Sequence, residues 1–172
     1  MTETIAYEIT GRTGEIEFRK YPGLVLATVP NIGEDSGFNL LFAYITGNNR
    51  TKAKIPMTAP VITSEKIRMT APVLSDENSM SFVMPAGKHE EDMPDPVDPR
   101  VKITTIPPRE IAVIQFKGYA GREDVEAAKV RLFDGLQKAG ITSAGQPVLM
   151  RYNAPWTPGF LRRNEVGIEI TR

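Results

Sequence analysis

Polar and apolar residues alternate along Glu15-Ile16-Glu17-Phe18-Arg19-Lys20-Tyr21, the period of a half-buried strand. Pro22-Gly23 turns the chain, and Leu24-Val25-Leu26-Ala27-Thr28-Val29 reads as a second, more fully buried strand. Beyond a connection from Pro30 to Asp35, the pattern predicts a helix over about Ser36–Thr46. Asp35 or Ser36 can cap its start, and Gly47 can take the left-handed position past its end. Phe38, Leu41, Phe42 and Ile45 form one apolar stripe, while Leu40 and Tyr44 point elsewhere. No charge occurs between Phe38 and Ile45. A surface helix normally sets a charged face against its apolar stripe, so this one is covered on both sides or lines an open apolar site. Basic residues come just after it, at Arg50, Lys52 and Lys54.

One heptapeptide is then written twice. Ile55-Pro56-Met57-Thr58-Ala59-Pro60-Val61 returns as Ile67-Arg68-Met69-Thr70-Ala71-Pro72-Val73, with Pro56 against Arg68 as the sole difference. Each proline fixes its own φ, pushes the preceding alanine towards extended geometry and donates nothing to a ladder. Each copy is therefore expected at a sheet edge or a bulge. With Thr63-Ser64-Glu65-Lys66 between them, the two arms predict a hairpin across Lys54–Leu74.

Ser79-Met80-Ser81-Phe82-Val83-Met84 follows as a strand with Met80, Phe82 and Met84 on one face. Residues 85–100 are rich in proline and acid, and are expected to be an extended, solvated loop. The second half repeats the plan of the first. Val101–Ile106 alternates and stops at Pro107-Pro108, Ile111–Phe116 is a buried strand, and a helix runs over about Arg122–Ala139. Val125, Ala128, Leu132 and Leu136 form its apolar face. Val148–Tyr152 and Glu165–Ile170 are strands joined by the loop 153–164. The plan is two β-β-α-β-β halves, about 13–84 and 100–172, within a single domain over 1–172. It predicts an α+β fold: one antiparallel sheet, closed or strongly curved, with two helices against it.

Composition narrows function by exclusion. The 21 basic residues balance 21 acidic ones, which disfavours non-specific nucleic-acid binding. No cysteine occurs, so disulfides, thiolate metal sites and covalent haem attachment are all excluded. Neither a signal peptide nor an apolar run long enough to span a membrane is present, and a cytoplasmic protein is expected. The motifs of a P-loop, a dinucleotide fingerprint, a nucleophile elbow and a zinc protease are missing, so no enzyme is expected.

Gly37-Phe38, Tyr44-Ile45-Thr46-Gly47-Asn48-Asn49, the paired Met-Thr-Ala-Pro-Val, Met80–Pro85, Asp98–Val101 and Arg162–Glu165 together resemble the SOUL / p22 haem-binding protein family. The resemblance runs from about residue 13 to the C-terminus. It implies a distorted antiparallel β-barrel flanked by two helices, a pseudo-twofold duplication similar to the effector-binding domain of bacterial drug-sensing regulators. It also implies non-covalent binding of haem or another tetrapyrrole on an apolar face that includes the first helix. The residues so indicated are Phe38, Leu41, Phe42 and Ile45, Met57 from the repeat, and Trp156 and Phe160 from the last loop. Propionates would seek Arg50, Lys52, Lys54, Arg162 or Arg163.

Several of these residues have plainer readings. His89, the single histidine, sits beside Glu90 and Glu91 and reads as a solvated loop residue rather than an iron ligand. Met57 and Met69 read as core filling before iron ligation. Arg162-Arg163 is a carboxylate clamp or a surface pair supporting the last strand. Trp156, between Pro155 and Pro158, is a lid or an anchor for its loop. Three functions stay open: a tetrapyrrole-binding protein for buffering or transfer, an effector-sensing domain for an apolar or cationic small molecule, and a tetrapyrrole-modifying enzyme.

Overall fold

The computed structural model describes residues 3–30, 34–50, 55–64, 79–153 and 156–172. The strands are β1 (Glu3–Thr4), β2 (Glu8–Thr13), β3 (Ile16–Tyr21), β4 (Leu24–Pro30), β5 (Thr58–Ser64), β6 (Ser79–Val83), β7 (Lys102–Ile106), β8 (Arg109–Phe116), β9 (Thr142–Arg151) and β10 (Asn164–Thr171). Helix α1 (Glu34–Ile45) falls between β4 and β5, and α2 (Arg122–Lys138) between β8 and β9.

Two compact units result. The first comprises Met1–Ile5 and Gly23–Pro107, the second Ala6–Pro22 and Pro108–Arg172. These units cut across the two sequence halves: β3, from the first half, pairs with β8 in the second unit, and β7, from the second half, pairs with β4 in the first.

The first unit is an antiparallel ladder in the order β7–β4–β6–β5, with β1 running parallel to β5. The proline of the first repeat does what its missing donor requires. Thr58 pairs with Val83 but Val61 with Phe82, so Ala59 and Pro60 lie in a register shift. The second arm of the expected hairpin, Ile67–Val73, lies outside the described residues, and the antiparallel partner seen for β5 is β6.

Helix α1 lies on β4 and β6 with a face rotated from the expected stripe. Leu41, Tyr44 and Ile45 are buried among Val25, Ala27, Val29, Met80 and Phe82, whereas Phe42 is 46% exposed. Gly37 lies on the same buried line as Leu41 and Tyr44, facing Val29 and Met80. Tyr44, expected to point away, fits the core because its hydroxyl donates to the Pro94 carbonyl at 2.7 Å. Burial, and then the neighbouring Asp95 charge, push that hydroxyl up to about 12. The helix closes with the amide of Asn48 on the Ala43 carbonyl at 2.8 Å and that of Gly47 on Tyr44 at 3.4 Å, with Gly47 at φ 126.

The second unit is a ladder in the order β2–β3–β8–β10–β9. Val125, Ala128, Leu132 and Leu136 of α2 bury against Ile16, Phe18, Ile114, Val166 and Ile168, the helix face that its periodicity predicts. α2 ends as α1 does, with Ile141 bonded to Leu136 and Gly140 to Gln137. Two elements escape the sequence pattern. β2 is exposed along nearly all its length and so shows no apolar alternation. β9 begins at Thr142 rather than Val148, because Gly145 at φ 73 and the register shift against β10 break its period.

The α+β class is as expected, but the barrel is not closed. β7 in the first unit and β2 in the second each pair along one edge only.

Candidate functional site

In the first unit, the outward side of α1 carries an aromatic patch. Phe38 is half-buried, edge-on to Phe82 with ring centroids 5.2 Å apart, and Phe42 stacks on Phe38 at 6.0 Å with planes 11° apart. The buried ring thus holds the exposed one in place. Leu40 and Met57 are half-buried and pack against the same core. Leu41 and Ile45, also indicated by the sequence, are 0% and 2% exposed and support the patch from beneath. Of the cations expected to meet carboxylates, Arg50 is exposed, its amide bonded to the Asp95 carbonyl at 2.9 Å; Lys52 and Lys54 lie outside the described residues.

His89 is exposed ahead of a single 3-10 turn, Glu90–Asp92, and its amide donates to the Asp92 carboxylate at 2.9 Å. Beside that turn lies an open hollow of about 570 Å³, lined by Glu90, Glu91 and Asp95 and floored by Met93, Val101 and Ile103. Among the described residues no three acids or histidines converge as a metal site.

In the second unit, Trp156 and Phe160 are 85% and 74% exposed, on a loop that contains one 3-10 turn, Gly159–Leu161. Arg162 donates through Nε to the Thr157 carbonyl at 2.7 Å and lies 4.6 Å over the Tyr119 ring, so it braces that loop. Arg163 is committed elsewhere. Its Nη2 reaches the Glu165 carboxylate at 3.1 Å and the Tyr7 hydroxyl at 2.9 Å, and its guanidinium stacks 4.2 Å over Tyr152. The paired arginines thus divide their work, one bracing the loop and the other supporting the last strand.

The largest feature the sequence did not reveal is the cluster that Arg163 joins. Arg19 on β3 grips Glu165 on β10 with two parallel bonds of 2.7 and 2.6 Å, and both residues are almost wholly buried. Arg19 Nε also reaches Glu17 at 2.7 Å, its Nη1 reaches the Tyr21 hydroxyl at 2.9 Å, and Tyr7 lies 4.1 Å beneath its guanidinium. Burial alone would push the Glu165 carboxyl up; the bonds and charge of Arg19, then the charge of Arg163, hold it below its ordinary value. Burial, and then the Glu165 charge, push the Tyr152 hydroxyl far up. Arg12 also reaches Glu17, at 3.2 Å, so three guanidiniums meet two carboxylates, and the buried Tyr152 hydroxyl beside them has no hydrogen-bond partner among the described residues. The work of the cluster is structural: it ties β3 to β10, 146 residues apart.

Each unit is thus an α+β ladder backed by one helix, and α1 carries an exposed ring stack. The sequence pattern of the SOUL heme-binding protein family matches residues 2–169, and the chain belongs to that family. No curated protein matches it. Among solved structures, an uncharacterized conserved protein from Listeria innocua has 12% identity and a TM-score of 0.65, with 94% of each chain covered. The C-terminal domain of EcmrR has 13% identity and a TM-score of 0.61, with 98% of this chain and 99% of that one covered. In the complex of EcmrR with DNA, the chain spans only 57% of the EcmrR chain and covers 91% of its own length. SAV2435 bound to tetraphenylphosphonium has 11% identity and a TM-score of 0.53, with 91% and 94% covered. At such identities these likenesses establish the fold.

Proposed function

We propose that the protein holds haem or another porphyrin without a covalent bond, on the outward face of α1, and buffers or transfers it. The exposed Phe42 ring, stacked on Phe38 on a stretch of α1 without charge from Ser36 to Ile45, carries this reading. A flat apolar macrocycle suits a fixed ring stack, and its carboxylates suit a cation as exposed as Arg50, in the same unit; Met57 packs on the core beneath. Membership of a heme-binding family supports the ligand class. Haem, when bound, supplies a redox-active iron; the residues named here bind and orient the ring and exclude water from one of its faces.

The test is a titration with haemin and with protoporphyrin IX, following the Soret band and the emission of Trp156, the only tryptophan. Saturable binding of both is expected, because the site rests on ring stacking and not on an iron ligand. His89→Ala is expected to leave the haemin spectrum unchanged, and loss of its Soret shift would make His89 the ligand. Binding of neither porphyrin removes the reading.

The hollow floored by Met93, Val101 and Ile103 favours a second reading, effector sensing. Its acids Glu90, Glu91 and Asp95 outnumber its one cation, Lys102, and suit a positively charged molecule with an apolar body. Saturable binding of tetraphenylphosphonium without competition from porphyrin would support it, and an unchanged spectrum and melting curve would set it aside.

A further inference from the structure

The last loop and the turn before α2 form one apolar tip in the second unit. Tyr119, Trp156, Phe160 and Leu161 are 66%, 85%, 74% and 57% exposed. Side chains this exposed project from the surface; residues lining a groove or a pocket are partly covered by its walls.

The tip is also held firmly. The Gly118 amide donates to the Gly159 carbonyl at 3.0 Å, and Asn164 Nδ2 returns to the Gly118 carbonyl at 2.8 Å. The Tyr119 ring lies on Gly159, where a Cβ would come within 2.7 Å of it, so only glycine admits this contact. Ala120 is held at φ 55 with its side chain buried in the unit's core. Arg162 closes the arrangement from the other side, between Tyr119 and the Thr157 carbonyl. A pair of loops fixed in this way loses little freedom when its exposed side chains are buried.

We propose that this tip inserts into the interface of an anionic lipid bilayer, so that the protein works as a peripheral membrane binder. Tyr and Trp rings have an apolar body and a polar edge, and settle at headgroup depth. Phe160 and Leu161, adjacent on the 3-10 turn, supply the purely apolar insertion. Lys117, exposed next to Gly118, places a positive charge at the base of the tip, where it meets anionic headgroups, while Arg162 holds the loops together. The Asp124 carboxylate, in the first turn of α2, lies beside Gly118 and offsets part of that charge, so the apolar side chains supply most of the attachment. Apolar insertion joined to a small basic base is the two-part signal that reversible membrane attachment needs. The proposal does not depend on porphyrin binding.

The experiment uses phosphatidylcholine vesicles with and without phosphatidylserine, and the full chain without added porphyrin. Trp156 is expected to shift its emission to the blue and to be quenched by brominated lipid, with binding stronger on the anionic vesicles and weakened by salt. Phe160→Ser with Leu161→Ser is expected to weaken partitioning by about tenfold without changing the melting temperature, because both side chains are exposed. Trp156→Ala, followed by co-sedimentation, is expected to do the same. No blue shift and no co-sedimentation would overturn the proposal. So would binding that these variants leave intact, which places the contact elsewhere, or self-association through the tip without vesicle binding, which assigns it to a second copy.

Discussion

Glu165→Ala is expected to destabilise the protein by about 3–5 kcal/mol, because it leaves the buried Arg19 guanidinium without its bidentate partner. Chemical denaturation followed by circular dichroism measures it. Glu165→Gln should fall short of wild type as well, since an amide accepts at one atom while two arginines donate. The sign of the pH dependence follows from the carboxyl being held below its ordinary value of 4.5. A group with a depressed folded-state value stabilises fully above its unfolded value, and that stability is lost as the pH falls through the folded one. Wild type should therefore lose stability below about pH 4.5 more steeply than Glu165→Ala, which has already forfeited this contribution. The paired variant Arg19→Met with Glu165→Leu separates specific attraction from burial cost. Two apolar side chains of similar volume restore much of the loss, whereas either single change does not. A Glu165→Ala variant as stable as wild type, with an unchanged acid limb, would remove the cluster from any structural role.

That cluster also marks where the sequence stops being legible. The alternation of residues 15–21 places Ile16 and Phe18 on one face and Glu17, Arg19 and Tyr21 on the other, and the strand is found there. The pattern does not say that the polar face is buried too. Arg19 is 2% exposed because its partner arrives from β10, and no local pattern encodes a pairing across 146 residues. The amphipathic α2 is the opposite case. Its four core residues, its capping glycine and its helix-dipole charges all point the same way, so each is read directly.

The first helix lies between these cases. Its existence, its charge-free stretch from Phe38 to Ile45 and its Gly47 stop follow from local chemistry; its start, at Glu34 rather than past Asp35 or Ser36, and its orientation do not. A stripe drawn through the largest apolar residues takes Phe38 and Phe42 as the inward face. The buried line runs through Gly37, Leu41 and Tyr44 instead, against Val29, Met80 and Phe82. Tyr44 is thus inside, its hydroxyl satisfied by the Pro94 carbonyl, and Phe42 is left outside. The repeat shows a similar division. Its proline announces a bulge by what it cannot donate, while the choice of β6 as the partner of β5 depends on strands the repeat does not contain.

Two neighbours on that helix give the sharpest contrast. Leu41→Ala is expected to cost about 2–5 kcal/mol, the range for emptying a fully buried leucine site, since Leu41 is 0% exposed among Val29, Phe82 and Ile45. Phe42→Ala, one residue on, is expected to stay within about 0.5 kcal/mol of wild type, the range for exposed positions. Stability and binding should then move in opposite senses. Phe42→Ala removes the exposed ring of the stack and is expected to weaken porphyrin binding by about tenfold, in keeping with the loss of an aromatic contact and its buried area. Leu41→Ala, measured well below its lowered melting temperature, should bind porphyrin nearly as wild type does, because it touches the core and not the ring. Equal loss of affinity in both variants would mean that the ligand follows the helix's position rather than its surface. Retained affinity in Phe42→Ala would move the porphyrin off α1 altogether, because no other residue on that face offers a ring so exposed and so firmly backed.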